Sequence, residues 1–140
     1  PEFNMDTDGG GSVSLDELRG KPVVLYFYPK DDMPGCTKEA CGFRDLMPDF
    51  TGVEAEIIGV SKDTVAKHDK FKAKYDLPFR LGSDEDGSVC DAYGTWVEKN
   101  MYGRKYMGTA RTTFVIDENG KIEEIIEKVK TKDHASQILK

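Results

Sequence analysis

Cysteine, histidine and tryptophan are scarce in this chain: three Cys, two His and one Trp in 140 residues. Three cysteines are too few for a secreted disulfide scaffold, and an odd count leaves one thiol over under any single pairing. With no apolar leader to read, a reducing cytoplasm is the expected compartment. His68 and His134 stand without cysteine or carboxylate neighbours at ligand spacing, so no zinc or other metal is expected. Long hydrophobic runs are missing too. The longest, Val23 to Tyr28, is far too short to cross a bilayer as a helix, and no membrane span is expected. Nor is there an excess of positive charge: the net charge is −6 and the isoelectric point is near 5.0. Phosphate binding needs clustered Lys and Arg, so nucleic acid is not an expected partner. The densest basic run, Lys67 to Lys74, is interrupted by Phe71 and Ala73 and reads as the solvated face of a helix.

What is present suffices for one core. With 38% hydrophobic residues, residues 1–140 are expected to form a single domain. Asp8 to Gly11 reads as a turn. Ser12 to Leu15 reads as a short strand, and Ser14-x-x-Glu17 as a capping box opening a brief helical turn that ends at Gly20. Val23 to Tyr28 is a continuous β-branched and aromatic run, the mark of a central strand buried on both faces, and Pro29 ends it. Pro34 to about Phe50 carries Ala40, Phe43, Leu46, Met47 and Phe50 at helical spacing, with Pro48 bending or closing the helix. Ala55 to Ser61 reads as a second buried strand and Thr64 to Tyr75 as an amphipathic helix stopped before Pro78. Arg80 to Gly82 is extended, and Gly87 to Tyr93 is a short helix holding Cys90. Gly94 to Gly108 shows no period and is expected to be a surface loop. Thr112 to Ile116 and Lys121 to Ile126 flank Asn119-Gly120, a hairpin signal. Thr131 to Leu139 reads as a closing helix. Strands alternating with helices imply an α/β fold, a central mixed sheet covered by helices on both faces.

The segment from Tyr28 to Asp45, YPKDDMPGCTKEACGFRD, carries the chemistry. Cys36 follows Pro34 and Gly35, which places it in the first turn of a helix, where unpaired backbone N–H groups and the positive dipole end favour an anion. The thiolate is the reactive form of cysteine, and such a position lowers the usual thiol pKa of ~8.5 towards neutrality. Cys41, about one turn on, is placed to trap an oxidised Cys36. From the cysteine pair alone, redox chemistry and plain packing both remain open, because a buried cysteine is often an inert small hydrophobe.

The whole phrase resembles the peroxiredoxin family, specifically the bacterioferritin comigratory protein (PrxQ) branch: a strand ending in YFYP, then PGCT, EAC and FRD. The likeness continues through VSLDELRGKPVVLYFYPK, EIIGVSKD, GTWVEKNMYGRKYMG and ARTTFVIDENGKI, nearly the length of the chain. It implies a thioredoxin-like fold and a thiol-dependent peroxidase needing no cofactor. It makes Cys36 the peroxidatic cysteine, Cys41 the resolving one and Arg111, in ARTTF, the cation beside the sulfur. It draws the substrate pocket from Pro29, Met33, Gly35 and Glu39. It further implies a monomer that reduces hydrogen peroxide or organic hydroperoxides and is recycled by thioredoxin or a similar dithiol. Met33 departs from the pattern: relatives carry Pro-x-x-x-Thr-x-x-Cys, and a thioether has no donor to replace the threonine hydroxyl.

Two other functions stay open on the residues. A weakly active or inactive variant would serve as a redox-sensing or binding protein, with Met33 reporting the lost activity. A thioredoxin-type disulfide reductase would use the same fold, but wants two residues between its cysteines rather than four. Asp6, Asp8, Gly11 and Glu17 match calcium-loop positions one, three, six and twelve, yet Gly10 leaves position five without a side-chain ligand and no helix precedes the loop. Cys90 is expected to be a core residue of its helix.

Overall fold

In the computed structural model, residues 3–29, 31, 34–45, 56–101 and 103–126 are described below. They form nine strands, β1 (Asn4–Thr7), β2 (Ser12–Ser14), β3 (Val23–Phe27), β4 (Glu56–Ser61), β5 (Arg80–Ser83), β6 (Trp96–Met101), β7 (Arg104–Thr109), β8 (Thr112–Ile116) and β9 (Ile122–Ile126), and three α-helices, α1 (Pro34–Asp45), α2 (Val65–Tyr75) and α3 (Ser88–Ala92). Seven strands make one mixed sheet in the order β2-β1-β5-β4-β3-β8-β9. β3 lies parallel to β4 and antiparallel to β8, so the apolar run at its heart is paired on both edges and buried at every position.

The side chains of that strand divide by alternation, as the two-residue period of a strand requires. Val23, Leu25 and Phe27 enter a core with Phe3, Val13, Leu18, Val89, Cys90 and Phe114. Val24, Tyr26 and Tyr28 enter a second core on the opposite face with Cys36, Ala40, Phe43 and Phe71, beneath α1 and α2. Tyr26 stacks on Phe43 at 4.7 Å between ring centroids. The ring needs Gly59 beside it: a Cβ there would lie 2.7 Å from Tyr26 Cζ.

Local signals explain the element ends. Thr64 caps α2 by accepting a hydrogen bond from the Lys67 N–H, and Asp76 closes it in the left-handed conformation. The Glu17 N–H donates to Ser14 Oγ at 3.3 Å, one half of the anticipated capping box, but the Glu17 carboxylate turns instead to Arg80, 3.1 Å away. β1, which the reading of residues 1–11 omitted, pairs with both β2 and β5. The β8–β9 hairpin forms as anticipated across Asp117–Gly120.

One expectation fails. Gly94 to Gly108 contains not a loop but most of a two-stranded antiparallel ribbon, β6 with β7, separate from the main sheet. The ribbon exposes side chains such as Glu98 and Met107, so no apolar alternation marks it. Gly103, at φ +79°, makes its turn. The bend at Pro48, the start of β4 at Ala55 and the helix over Thr131 to Leu139 lie outside the described residues.

Candidate active site

The strand order builds the site. β3 ends at Phe27, whose partner across the ladder is Thr112, the first residue of β8. Arg111 precedes Thr112, so it emerges at the edge where the chain leaves β3 for α1. The backbone beside it is held by the Ala110 N–H donating to the Thr95 carbonyl at 2.7 Å. Cys36 is the third residue of α1. The Arg111 Nη2 donates to Cys36 Sγ at 3.1 Å, across 75 residues of sequence. Sulfur, helix N-terminus and guanidinium therefore converge, as the family resemblance implies. The sulfur is deeply packed, at 1% exposure, while Arg111 is half-buried. A permanently charged donor at hydrogen-bond distance stabilises a thiolate over a thiol.

Cys41 lies on the same continuous helix, half-buried, and all three cysteines are free thiols. In such a helix Cα atoms five residues apart are about 8.6 Å apart, from a rise of about 1.5 Å and a turn of about 100° per residue. A disulfide needs less than about 7 Å, so bonding Cys36 to Cys41 requires the first turns of α1 to unwind. Arg44, a turn beyond Cys41, fixes the far half of the helix by donating to the Tyr75 carbonyl at 2.8 Å. Its proton is held more tightly, chiefly by the hydrogen bond to Asp45.

Cys90 is placed differently. It is fully buried in the core on the opposite face of the sheet from Cys36. Burial, then the Asp84 carboxylate beside it, push its thiol up to about 11. Asp84 is itself occupied, accepting from the Val89 and Cys90 backbone N–H groups at 3.1 and 2.8 Å. This is a neutral core thiol.

Of the other predicted site residues, Pro29 follows β3 and is half-buried, and Gly35 and Glu39 are in α1. Met33 and the Glu39 side chain lie outside the described residues. The calcium-loop candidates are engaged elsewhere: Asp8 accepts from the Leu81 N–H at 2.8 Å and from Lys72 at 2.7 Å. Sequence reasoning missed a buried polar cluster under the loop before α1, formed by Tyr28, Asp31, Asp63 and His68. His68 was weighed only as a zinc ligand. Its spacing from Phe71, both on the buried face of α2, was the available signal.

A thioredoxin-like α/β fold that sets a cysteine at a helix tip beneath an arginine defines a thiol-based redox protein. The AhpC/TSA family model matches residues 1–125. A putative peroxiredoxin bcp from Coxiella burnetii is 52% identical over 139 residues, covering 99% of this chain and 92% of the relative. Peroxiredoxin Bcp of Bacillus subtilis is 46% identical, covering 99% and 88%. The solved bacterioferritin comigratory protein of Xanthomonas campestris, studied for alkyl peroxide reduction, superposes with a TM-score of 0.93 at 40% identity, covering 98% of this chain and 87% of that one. The chain belongs to the AhpC/TSA family and, within it, to the bacterioferritin comigratory protein (PrxQ) peroxiredoxins, which are thiol-dependent peroxidases. Among the described residues no helix is long and apolar enough to cross a membrane.

Proposed function

We propose that this peroxidase works through Cys36 and reduces alkyl hydroperoxides as well as hydrogen peroxide. The observation that carries the reading is the 3.1 Å contact from the Arg111 guanidinium to the Cys36 sulfur at the N-terminal turn of α1. The thiolate attacks the terminal peroxide oxygen, the O–O bond breaks, and the electron pair leaves with the distal oxygen, which takes up a proton to become water or an alcohol. Cys36 is left as a sulfenic acid. Arg111 faces the sulfur through this step, so its N–H groups stabilise negative charge growing on the peroxide oxygens. The Cys41 thiol then attacks the sulfenic sulfur, forming the disulfide and releasing water. A dithiol of the thioredoxin type returns both cysteines to thiols by exchange.

The same reading takes the chain as one peroxiredoxin domain acting as a cytoplasmic monomer, with Pro29, Met33, Gly35 and Glu39 around the peroxide. Its test is consumption of cumene hydroperoxide and hydrogen peroxide in a coupled assay with thioredoxin, its reductase and NADPH. Turnover is expected in the wild-type protein and none in Cys36→Ser. Wild-type turnover that survives Cys36→Ser would contradict the assignment of the nucleophile.

A further inference from the structure

A carboxylate buried in the loop before the active-site helix needs a reason, because burying a charge is costly unless it is paired and hydrogen-bonded. Asp31 is such a group. It lies between Pro29, just past the end of β3, and Pro34, where α1 begins, and it is 9% exposed. Both carboxylate oxygens and the backbone N–H are engaged. Its Oδ2 is 2.6 Å from His68 Nδ1, its Oδ1 accepts from the Tyr28 hydroxyl at 2.6 Å, and its backbone N–H donates to Asp63 Oδ2 at 2.7 Å.

Each partner is anchored in turn. His68, wholly buried on α2, directs Nε2 at the Gly82 carbonyl of β5, 3.0 Å away. Both ring nitrogens thus face acceptors. Asp63 also accepts from Ser61 Oγ at 2.8 Å, lies 3.9 Å from Lys67 Nζ, and has its carbonyl held by Ser83 Oγ at 2.6 Å. Burial first, then the neighbouring Tyr26 and the Asp31 carboxylate, push the Tyr28 hydroxyl well above its usual range, which keeps it a donor.

The anchors belong to the end of β3 and the residue after it, the β4–α2 turn, α2 and β5, none of which has to move for catalysis. The segment from Pro34 to Cys41 has to unwind before Cys36 reaches Cys41. Asp31 therefore lies between the elements that stay and the helical turns that move. We propose that the buried Asp31–His68 pair is a latch holding the first turns of α1 in their peroxide-reactive arrangement, so that these two positioning residues divide turnover between oxidation of Cys36 and its capture by Cys41. This rests on the roles given above to the two cysteines. An intact latch keeps Cys36 under Arg111 and favours the oxidation step. A broken latch lets the first turns of α1 loosen, which lowers the fraction of molecules with the sulfur under the guanidinium and raises the fraction able to bring the two sulfurs together.

Rapid mixing of the reduced protein with hydrogen peroxide, followed by acid quench and mass spectrometry, resolves the two steps. In Asp31→Asn and in His68→Leu the second-order rate of Cys36 oxidation is expected to fall roughly tenfold or more, the scale of losing one charge-assisted buried hydrogen bond, while the rate of disulfide formation holds or rises. His68→Asn, whose amide nitrogen overlies Nδ1 and still donates to Asp31, is expected to restore most of the oxidation rate. Both rates unchanged, or both falling together, would overturn the latch. Hydrogen exchange of the reduced proteins tests it without relying on the cysteine assignment: amides of residues 35–41 should exchange faster in His68→Leu while β3 and β4 keep their protection. Equal exchange over 35–41, or a loss spread evenly over the sheet, would overturn it too. A wild-type protein whose Cys36 stays unoxidised while the exchange difference appears would refute the peroxidase roles and leave the latch standing.

Discussion

Arg111 and Cys90 show how differently one fold treats side chains that sequence spacing presents on equal terms. Arg111 meets the Cys36 sulfur as a fixed donor. Arg111→Ala should therefore lower kcat/KM for peroxide by about 10²–10³-fold, the cost of removing one donor from a developing oxyanion. Arg111→Lys should recover only part, because an ammonium keeps the charge without the planar fork. Steady-state rates in the coupled assay check this, and wild-type kcat/KM in Arg111→Ala would mean that the contact does not assist the reaction. Cys90, pushed up to about 11 by burial and Asp84, should resist iodoacetamide at pH 8 in the folded protein and react after denaturation, as peptide mapping would show. A folded-state pKa above the unfolded value of ~8.5 leaves stability unaffected at lower pH and erodes it as pH rises from about 8.5 towards 11. Cys90→Ala should flatten that part of the stability profile. Labelling of native Cys90 at the rate of a free thiol would contradict its buried, neutral state.

Among the elements, α1 carries the strain of the mechanism. It is one continuous helix across both Cys36 and Cys41, a geometry suited to the thiolate and unsuited to the disulfide. Amides from Gly35 to Cys41 should exchange faster in the disulfide form than in the reduced form, with Arg44 keeping the far turn in place through Tyr75. Identical protection in both forms would rule out local unwinding. The helix start was readable from Pro34-Gly35, and β3 from its unbroken β-branched and aromatic run, because burial on both faces leaves a strong pattern. The β6–β7 ribbon was not readable: exposed positions such as Glu98 and Met107 leave no apolar alternation to register as a strand. The Asp31–His68 pair was invisible for another reason. Its partners are 37 residues apart, and no local pattern reports a contact made by the packing of α2 against the loop.

At the scale of the whole molecule, the sheet acts as a partition. Cys36 belongs to the core under α1 and α2, and Cys90 to the core on the other face. The fold class followed from the alternation of strands and helices, but the meeting of Arg111 with Cys36 depends on β8 lying antiparallel to β3. That pairing was accessible to sequence only through the family resemblance of ARTTF. It brings the cation to the one edge of the sheet where α1 begins, and it leaves Cys41, on the same helix, as the thiol in reach once α1 unwinds. Connectivity after a single oxidation therefore tests the account most directly. Peptide mapping by mass spectrometry of the reduced protein treated with one equivalent of hydrogen peroxide should recover a Cys36–Cys41 disulfide with Cys90 as a free thiol. Recovery of Cys36 as an unmodified thiol, or joined to Cys90, would contradict it.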